Sequence, residues 1–316
     1  MEKKTKLIID TDGQSDDAVA IALALNDPAS EVLFLTAIAG NVSVHQAAKN
    51  VLATIEHAGS YEPPVYVGCE KMLFAELQNE GEAHGKDGMG DMGFVPRHLK
   101  PAEGNAVFHM LETLKNSEPG EIIIVALGTL THLALAVRLD FEAVKRAKRI
   151  VIMGSAGFGT GNVTPVAEYN IWQDAEAAKI VLESGLDNLL LVGWDMCQGD
   201  TLFTGEEIRK IRESGELGQF AIDCNRKLLE TERKMFGGEY LGVADAVAMA
   251  VALCPACMEE SETYYCQVDC APGAGYGAVI IDAKGIMEQE PRVSICRKIS
   301  GKRYKDYVYR VLHVEV

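Results

Sequence analysis

The sequence predicts an α/β fold, built as one domain (residues 1–316) around a doubly wound, mostly parallel sheet. Short runs rich in Ile, Val and Leu alternate with helical patterns through the first two-thirds of the chain. The runs lack the polar alternation of half-exposed strands, so helices are expected to cover both faces of the sheet. We find no repeat, low-complexity tract or linker that would divide the chain.

The predicted elements follow from these patterns in chain order. Strands are predicted at residues 6–9, 32–39, 122–127, 149–153 and 189–192. Helices are predicted at residues 18–25, 44–58, 105–115, 131–138 and 175–183, with one charged amphipathic helix at 205–234 and a buried helix at 243–253. Strands at 263–268, 278–282 and 292–296 and a helix at 304–312 complete the chain. The Gly- and Met-rich residues 81–94 have no period, and we expect a long loop near a site.

Composition excludes several classes of partner. The chain has 30 basic and 46 acidic residues and a net charge of −16, which disfavours nucleic acid as a partner. No signal peptide or membrane span is expected, so we predict a cytoplasmic protein that does not bind membranes. The 8 cysteines are accordingly expected to be reduced thiols.

The segment LIIDTDGQSDDAVAIAL, residues 7–23, places four aspartates directly after a buried strand: Asp10, Asp12, Asp16 and Asp17. A helix N-terminus favours one or two acidic residues, but burying four unpaired carboxylates would cost several kcal/mol each. A hard divalent cation takes six to eight oxygen ligands and converts this repulsion into coordination. The cluster therefore predicts a metal site at the carboxyl end of the first strand.

Two enzyme families have an opening motif of this kind. The order strand, Asp10, Thr11, Asp12, Gly13 is similar to the haloacid-dehalogenase-like phosphatases, although Gln14 follows and the Asp16–Asp17 pair is not part of their pattern. The stretch DTDGQSDDAVAI also resembles the signature of the nucleoside hydrolase family, with Gly13-Gln14 in place of Pro-Gly.

Further motifs in chain order strengthen the resemblance to the inosine-uridine preferring nucleoside hydrolases. They are Gly40-Asn41 after the second strand, AHGKDGMG with His84, VALGTLTHLALA with His132 where Asn is usual, the block GNVTPVAEYNIWQDAEAA, and GVADAVAMA with Asp245. They extend from residue 7 to about residue 253, and the last sixty residues match only in general character.

The resemblance implies a reaction and a set of site residues. It implies Ca²⁺-dependent hydrolysis of the N-glycosidic bond of ribonucleosides to free base and ribose, by a cytoplasmic homo-oligomer (dimer or tetramer) in purine and pyrimidine salvage. Ca²⁺ would be held by Asp12, Asp17, Asp245 and the backbone carbonyl of Leu127, all oxygen ligands that suit a hard cation. Asp12 would be the general base, and the residues that bind substrate would be Asp16, Asn41, His84, Asn162, Glu168 and Asn170.

Ala244 departs from the family pattern, because a His or a Trp commonly precedes the metal-binding aspartate. Alanine can neither protonate nor stack on a departing base, so the sequence leaves the base preference and the leaving-group acid open. The aromatic candidates for stacking are Phe158, Tyr169, Trp172, Phe236 and Tyr240.

Several alternatives also stay open. They are a phosphatase, a non-catalytic binder of ribosyl compounds, a hydrolase of a related ribosyl compound, and a structural zinc site at Cys254, Cys257, Cys266 and Cys270.

Overall fold

An eight-stranded sheet with helices on both faces organises the chain. The structure is a computed structural model and describes residues 3–78 and 81–315, without the side chains of residues 81, 82, 235 and 236. The strands in these residues are β1 (Thr5–Thr11), β2 (Ser30–Ala37), β3 (Val65–Val67), β4 (Ile122–Ala126), β5 (Arg149–Met153), β6 (Leu189–Val192), β7 (Phe203–Thr204), β8 (Tyr240–Leu241), β9 (Met258–Tyr264), β10 (Cys266–Val268), β11 (Val279–Ile281) and β12 (Val293–Ile299). The helices are α1 (Ser15–Asn26), α2 (Val44–Ala58), α3 (Gly81–His84), α4 (Ala106–Asn116), α5 (Thr131–Leu139), α6 (Phe141–Lys145), α7 (Tyr169–Gln173), α8 (Ala175–Leu182), α9 (Gly205–Glu213), α10 (Glu216–Asp223), α11 (Arg226–Phe236), α12 (Ala244–Leu253) and α13 (Gly301–Val311).

The strand order of the central sheet is β3-β2-β1-β4-β5-β6-β12-β9. Every neighbouring pair is parallel except β12 and β9, which are antiparallel. The predicted mostly parallel, doubly wound fold is therefore confirmed. The chain runs from β1 outward to β2 and β3 and then returns to place β4 on the other side of β1, and ligands of such sheets bind at this reversal, beyond the carboxyl ends of the strands.

Both faces of the sheet are buried, as the uninterrupted apolar strands predict. On β1, Leu7 and Ile9 belong to a core shared with α1, α2, α12 and α13, whereas Ile8 faces a second core with α4, α5 and α8. Successive side chains of a strand point to opposite faces, so a strand covered on both sides has no position for an exposed polar residue.

Helix α12 is buried along nearly its whole length, because residues 244–252 are all buried and Leu253, its last residue, is half-buried. Alternate positions of this helix carry alanine, and small side chains let α12 pack closely against α1. This packing brings Asp245, in the first turn of α12, to the aspartates that follow β1. In the described part of the chain, α12 and the other helices all lack the length and apolar character that a membrane span requires.

The single helix predicted at residues 205–234 is wrong, because the structure has α9, α10 and α11 there. Gly215 adopts a positive φ of 142° and separates α9 from α10. Asn225 lies between α10 and α11, and its side-chain amide donates to the carbonyls of Ser15 (3.0 Å) and Ala221 (2.9 Å). The predicted strand at 263–268 is likewise two strands, β9 and β10, and the predicted loop at 81–94 begins with the short helix α3.

Asp10, the first aspartate after the apolar part of β1, is buried against α5. His132 Nδ1 lies 2.7 Å from Asp10 Oδ1, and the two side chains are 0% and 1% exposed. The backbone N–H of Cys69 donates to His132 Nε2 (2.8 Å), so Nε2 carries no proton and Nδ1 donates to Asp10. Thr36 Oγ1 donates to the same Asp10 oxygen (2.6 Å). Asp10 therefore joins β1, β2 and α5 instead of the aspartate cluster.

We expect His132→Ala to destabilise the protein by about 3–5 kcal/mol, because it leaves the buried Asp10 carboxylate without its main partner and creates a cavity. Urea denaturation would measure the free energy of unfolding. The matched control is His45→Ala, since His45 is exposed and a change within about 0.5 kcal/mol is expected there. Equal effects of the two substitutions would contradict this account of the buried pair.

Candidate active site

A cavity lies beyond the carboxyl ends of the central strands, where the strand order reverses between β1 and β4. Most of the residues that the sequence predicts for the site line it. Its lining includes Asp16, Asn41, His84, Leu127, Asn162, Glu168, Asn170 and Asp245. Asp12 and Asp17 do not line the cavity but are fully buried beside it, in contact with Gln14, which does line it. The structure thus gathers every sequence-predicted site residue in one region.

Asp12 is held by one of its two carboxylate oxygens. Its Oδ2 accepts hydrogen bonds from Gln14 Nε2 and from the backbone N–H of Asn41, each at 2.8 Å. Its Oδ1 is buried and has no hydrogen-bond partner among the described residues. A Cβ at Gly40 would lie 2.0 Å from Oδ2, so the carboxylate fits only because this position is glycine. Asp12 is therefore fixed in orientation with one oxygen available.

The Gly13-Gln14 pair has a clear structural role, although it departs from the family pattern. Gly13 adopts a positive φ of 68°, and a Cβ there would lie 2.6 Å from the Ala47 carbonyl oxygen. Gln14 supplies the side-chain donor to Asp12, and its backbone N–H donates to Asp17 Oδ2 (3.1 Å). This second bond caps the N-terminus of α1, since Asp17 is the third residue of the helix. The turn therefore orients two of the aspartates.

Three acidic side chains, Asp16, Asp17 and Asp245, each offer an oxygen within 4.8 Å of the other two. Asp12 belongs to the same network, because its charge raises the pKa of Asp17. The convergent set therefore contains Asp16, which the sequence predicts as a substrate ligand, beside the predicted metal ligands Asp17 and Asp245. Asp245 Oδ1 has no hydrogen-bond partner among the described residues although it is buried. Converging carboxylates with unpartnered buried oxygens are the ligands that a hard divalent cation takes.

Burial raises the pKa values of Asp12, Asp17 and Asp245, and the charges of neighbouring aspartates raise them further. The pKa values of Asp17 and Asp245 lie well above the ordinary value of an aspartate. Without a cation, these groups keep their protons to a higher pH than a free aspartate does. A cation that replaced those protons would relieve the repulsion.

The segment before and within α7 forms another part of the cavity wall. Glu168 caps α7: Oε1 accepts from the N–H of Asn170 (2.8 Å), and Oε2 accepts from the N–H groups of Ser155 (3.0 Å) and Ile171 (3.3 Å). Burial raises the pKa of Glu168 to about 7. Asn170 Nδ2 donates to the Leu127 carbonyl oxygen (2.8 Å), and Asn162 Oδ1 accepts from the Tyr169 N–H (3.0 Å). Asn162 and Asn170 thus each use one end of the side-chain amide for the fold, whereas both oxygens of Glu168 accept from backbone N–H groups.

His84, at the end of α3, connects a loop to the aspartate segment. Its Nδ1 lies 2.9 Å from Ser15 Oγ and 3.7 Å from Asp16 Oδ1. The imidazole lines the cavity and is mostly buried, with 14% of its side chain exposed. His84 therefore closes the cavity on the side where α3 approaches α1.

Of the aromatic candidates, Tyr169 lines the cavity, whereas Phe158, Trp172 and Tyr240 do not, and the side chain of Phe236 lies outside the described residues. Phe158 is 45% exposed and stacks under Arg297, 4.5 Å from its ring centroid. Sequence reasoning missed Trp194 and Glu232, which both line the cavity. Trp194 follows β6, so its place at a strand end was a usable signal, whereas nothing distinguishes Glu232 within its charged helix.

The zinc alternative has no support in the described residues. There, the group that converges in the manner of a metal site is the aspartate set, and none of the cysteines belongs to it. All 8 cysteines of the chain are unpaired thiols. Burial raises the pKa values of Cys257 and Cys266, as expected for small apolar side chains in the core.

Comparison with known proteins points to one family. The family described as inosine-uridine preferring nucleoside hydrolase matches residues 7–306. The inosine-uridine preferring nucleoside hydrolase of Leishmania major is 33% identical over 304 residues, which cover 95% of this chain and 94% of that protein. An uncharacterized protein of Schizosaccharomyces pombe is 41% identical over 186 residues, and this chain spans 60% of that relative's length. A solved plant nucleoside hydrolase has a TM-score of 0.91 at 30% identity, covering 98% of this chain and 99% of that one.

We expect the stability of the metal-free protein to fall as pH rises from 5 to 8. Carboxyls whose pKa values are raised by folding bind more protons in the folded than in the unfolded state, so each unit of pH above the ordinary carboxyl range favours unfolding. Thermal unfolding in EGTA at several pH values measures this slope.

Asp245→Asn removes one of these carboxyls, so its slope should be shallower than that of the wild type. The exposed Asp187→Asn is the matched control and should keep the wild-type slope. A slope unchanged by Asp245→Asn would contradict the assigned pKa shift.

Proposed function

Because this chain belongs to the family of inosine-uridine preferring nucleoside hydrolases, we propose that it hydrolyses the N-glycosidic bond of ribonucleosides to free base and ribose. One observation carries the proposal: the buried carboxyls of Asp12, Asp17 and Asp245 adjoin a cavity lined with the hydrogen-bonding groups that a pentose requires. Cleavage at C1′ passes through an oxocarbenium-like transition state, and nearby negative charge stabilises it.

Asp12 is the general base of the proposed reaction. Gln14 and the Asn41 backbone hold its Oδ2, which leaves the unpartnered Oδ1 to accept a proton from the attacking water. Burial makes its carboxylate more basic than a free aspartate, and a higher pKa improves a base that works near neutral pH. The fixed orientation also lowers the entropy lost on reaching the transition state.

The ribose is bound by Asp16, Asn41, Asn162, Glu168 and Asn170, with His84 at the side of the base. The side chains of Asn170 and Asn162 support this role, because each has one end bonded within the fold. Asn170 Nδ2 donates to the Leu127 carbonyl, so its Oδ1 can accept from the sugar. Asn162 Oδ1 accepts from the Tyr169 N–H, so its Nδ2 can donate to the sugar. A sugar hydroxyl is both a donor and an acceptor, so an array with both kinds of free group suits a polyol.

The cation of the proposed enzyme is Ca²⁺, held by Asp12, Asp17, Asp245 and the backbone carbonyl of Leu127. The convergence of Asp16 with Asp17 and Asp245 supports a site made of oxygen ligands alone. Ca²⁺ tolerates an irregular arrangement of such ligands, whereas Mg²⁺ requires a nearly octahedral one. When bound, such a cation lowers the pKa of a coordinated water and orients sugar hydroxyls. The aspartates themselves supply the charge that favours the cationic sugar.

A cytoplasmic location and a homo-oligomeric state belong to the same proposal. The unpaired state of the 8 cysteines supports a reducing compartment. Exposed apolar side chains such as Phe74, which is 79% exposed, support contact with a further subunit.

We expect Asp12→Asn to lower kcat for inosine and uridine by at least about 100-fold, because the variant keeps the hydrogen bonds to Oδ2 but loses the proton acceptor. Release of reducing sugar measures the rate, and circular dichroism with thermal unfolding checks the fold. Asp187→Asn is the control and should retain full activity. Retention of more than a few per cent of activity in Asp12→Asn would contradict the assigned base. A non-catalytic binder predicts instead that the wild type itself has no turnover.

Dialysis against EGTA should abolish hydrolysis and lower Tm, and Ca²⁺ should restore both. A cation that binds only the folded state at 100 times its Kd stabilises the protein by about 2.7 kcal/mol. Mg²⁺ should restore less, since it demands octahedral geometry. In Asp245→Asn, Ca²⁺ should leave Tm unchanged. If Tm in the wild type responds to neither ion, the metal proposal is wrong.

A further inference from the structure

One wall of the cavity is formed by α11 and by the residues between β8 and α12, and the mechanism above does not use it. Leu228, Thr231 and Glu232 of α11 line it together with Gly242 and Ala244, and Trp194 also lines the cavity. Leucine, tryptophan, glycine and alanine form a mostly apolar surface, which suits the flat ring of a base more than a sugar. Glu232 is the acidic residue that this wall contributes among the described lining residues.

Glu232 is buried, with 5% of its surface exposed, and no positively charged side chain pairs with it among the described residues. Both of its carboxylate oxygens accept from the single backbone N–H of Gly242, at 3.1 and 3.0 Å. No ion pair to Glu232 exists among the described residues. A Cβ at Gly242 would lie 3.0 Å from Glu232 Oε1, so the carboxyl is packed directly against the backbone.

This environment keeps a proton on the carboxyl. Burial, with the charge of Asp16 adding to it, raises the pKa of Glu232 to about 8, against the opposing hydrogen bond from Gly242. The other titratable groups that line the cavity are Asp16 from α1, His84 from α3, Glu168 before α7, Tyr169 from α7 and Asp245 from α12. A carboxylic acid that stays neutral at pH 7 in an apolar setting can donate a proton.

The proposed reaction needs such a donor, because a base leaves readily only when its ring accepts a proton. Ala244 has no proton to give. The Tyr169 hydroxyl is directed at the carbonyl oxygens of Gly40 (3.1 Å) and Gln78, and His84 Nδ1 is engaged with Ser15. An indole N–H such as that of Trp194 does not act as an acid. Glu232 is left as the acid of this wall.

We propose that Glu232 is the general acid that protonates the departing base, an inference that rests on the proposed function. The C1′–N bond breaks and its electron pair passes to the base, while the carboxyl proton of Glu232 moves to a ring nitrogen or carbonyl oxygen of the base. Water adds to C1′ and gives its proton to Asp12. Exchange with solvent then returns a proton from Asp12 to Glu232 and closes the cycle.

The test compares two leaving groups in wild type and in Glu232→Gln. Glutamine keeps the size and hydrogen-bonding capacity of the side chain but has no acidic proton. We expect kcat for uridine and inosine to fall about 100-fold or more, whereas hydrolysis of 4-nitrophenyl β-D-riboside, whose phenolate leaves without protonation, should change less than about threefold. The fall of kcat for uridine above about pH 8 in wild type should disappear in the variant. Glu230→Gln, an exposed neighbour on α11, is the matched control.

Each outcome decides the matter. A similar loss on both substrates, or no loss with uridine, would overturn the role of Glu232. If Glu232→Gln shows no cooperative thermal transition, Glu232→Asp replaces it: the shorter acid should slow uridine hydrolysis and spare the nitrophenyl riboside, and any other pattern overturns the proposal. A wild type that cleaves neither substrate would instead contradict the proposed function itself.

Discussion

The burial of several carboxyl groups at the end of one strand is the constraint on which the rest of this structure depends. Asp12, Asp17 and Asp245 are removed from water where like charges repel, and the surrounding chain is arranged to permit it. Glycine at position 13 lets the Ala47 backbone, and glycine at position 40 lets the Asp12 carboxylate, lie where a Cβ atom would clash. The alanine-rich α12 is narrow enough to bring its acidic residue up to α1. A site of this kind is costly without a counterion, and the stability of the fold is therefore linked to what the site binds.

A second feature is that the site is preorganised, because the fold holds one polar atom of a site side chain and leaves another for a ligand. Asp12 has one oxygen held and one free, Asn170 has its amide nitrogen held and its oxygen free, and Glu168 caps a helix while it faces the cavity. The capping interpretation and the binding interpretation of such residues are therefore compatible. Groups that are locked by the fold lose little further freedom when a ligand arrives, and this favours both affinity and rate.

The sequence alone predicts the sheet well, because buried parallel strands are continuous apolar runs; the strands at 149–153 and 189–192 have the predicted bounds. The motifs also predict the family and the residues that meet at the cavity. The break at Asn225 was missed because it depends on a hydrogen bond to the distant Ser15 carbonyl, whereas Gly215 is a local signal for the break between α9 and α10. The position of Glu232 in the cavity likewise follows from how α11 packs, which no local pattern encodes, whereas the position of Trp194 just after β6 was a usable signal.

The pairing of Asp10 with His132 has a consequence for how the chain finds its fold. Along β1, Ile8 and Asp10 point to one face and Leu7 and Ile9 to the other. If β1 slipped by a single residue against β4, the ionic group would enter the aliphatic layer under α1 and α12, and His132 would face a hydrocarbon side chain. Misaligned sheets are thus penalised at their central strand, and the polar pair acts as an internal check on assembly before any ligand is present.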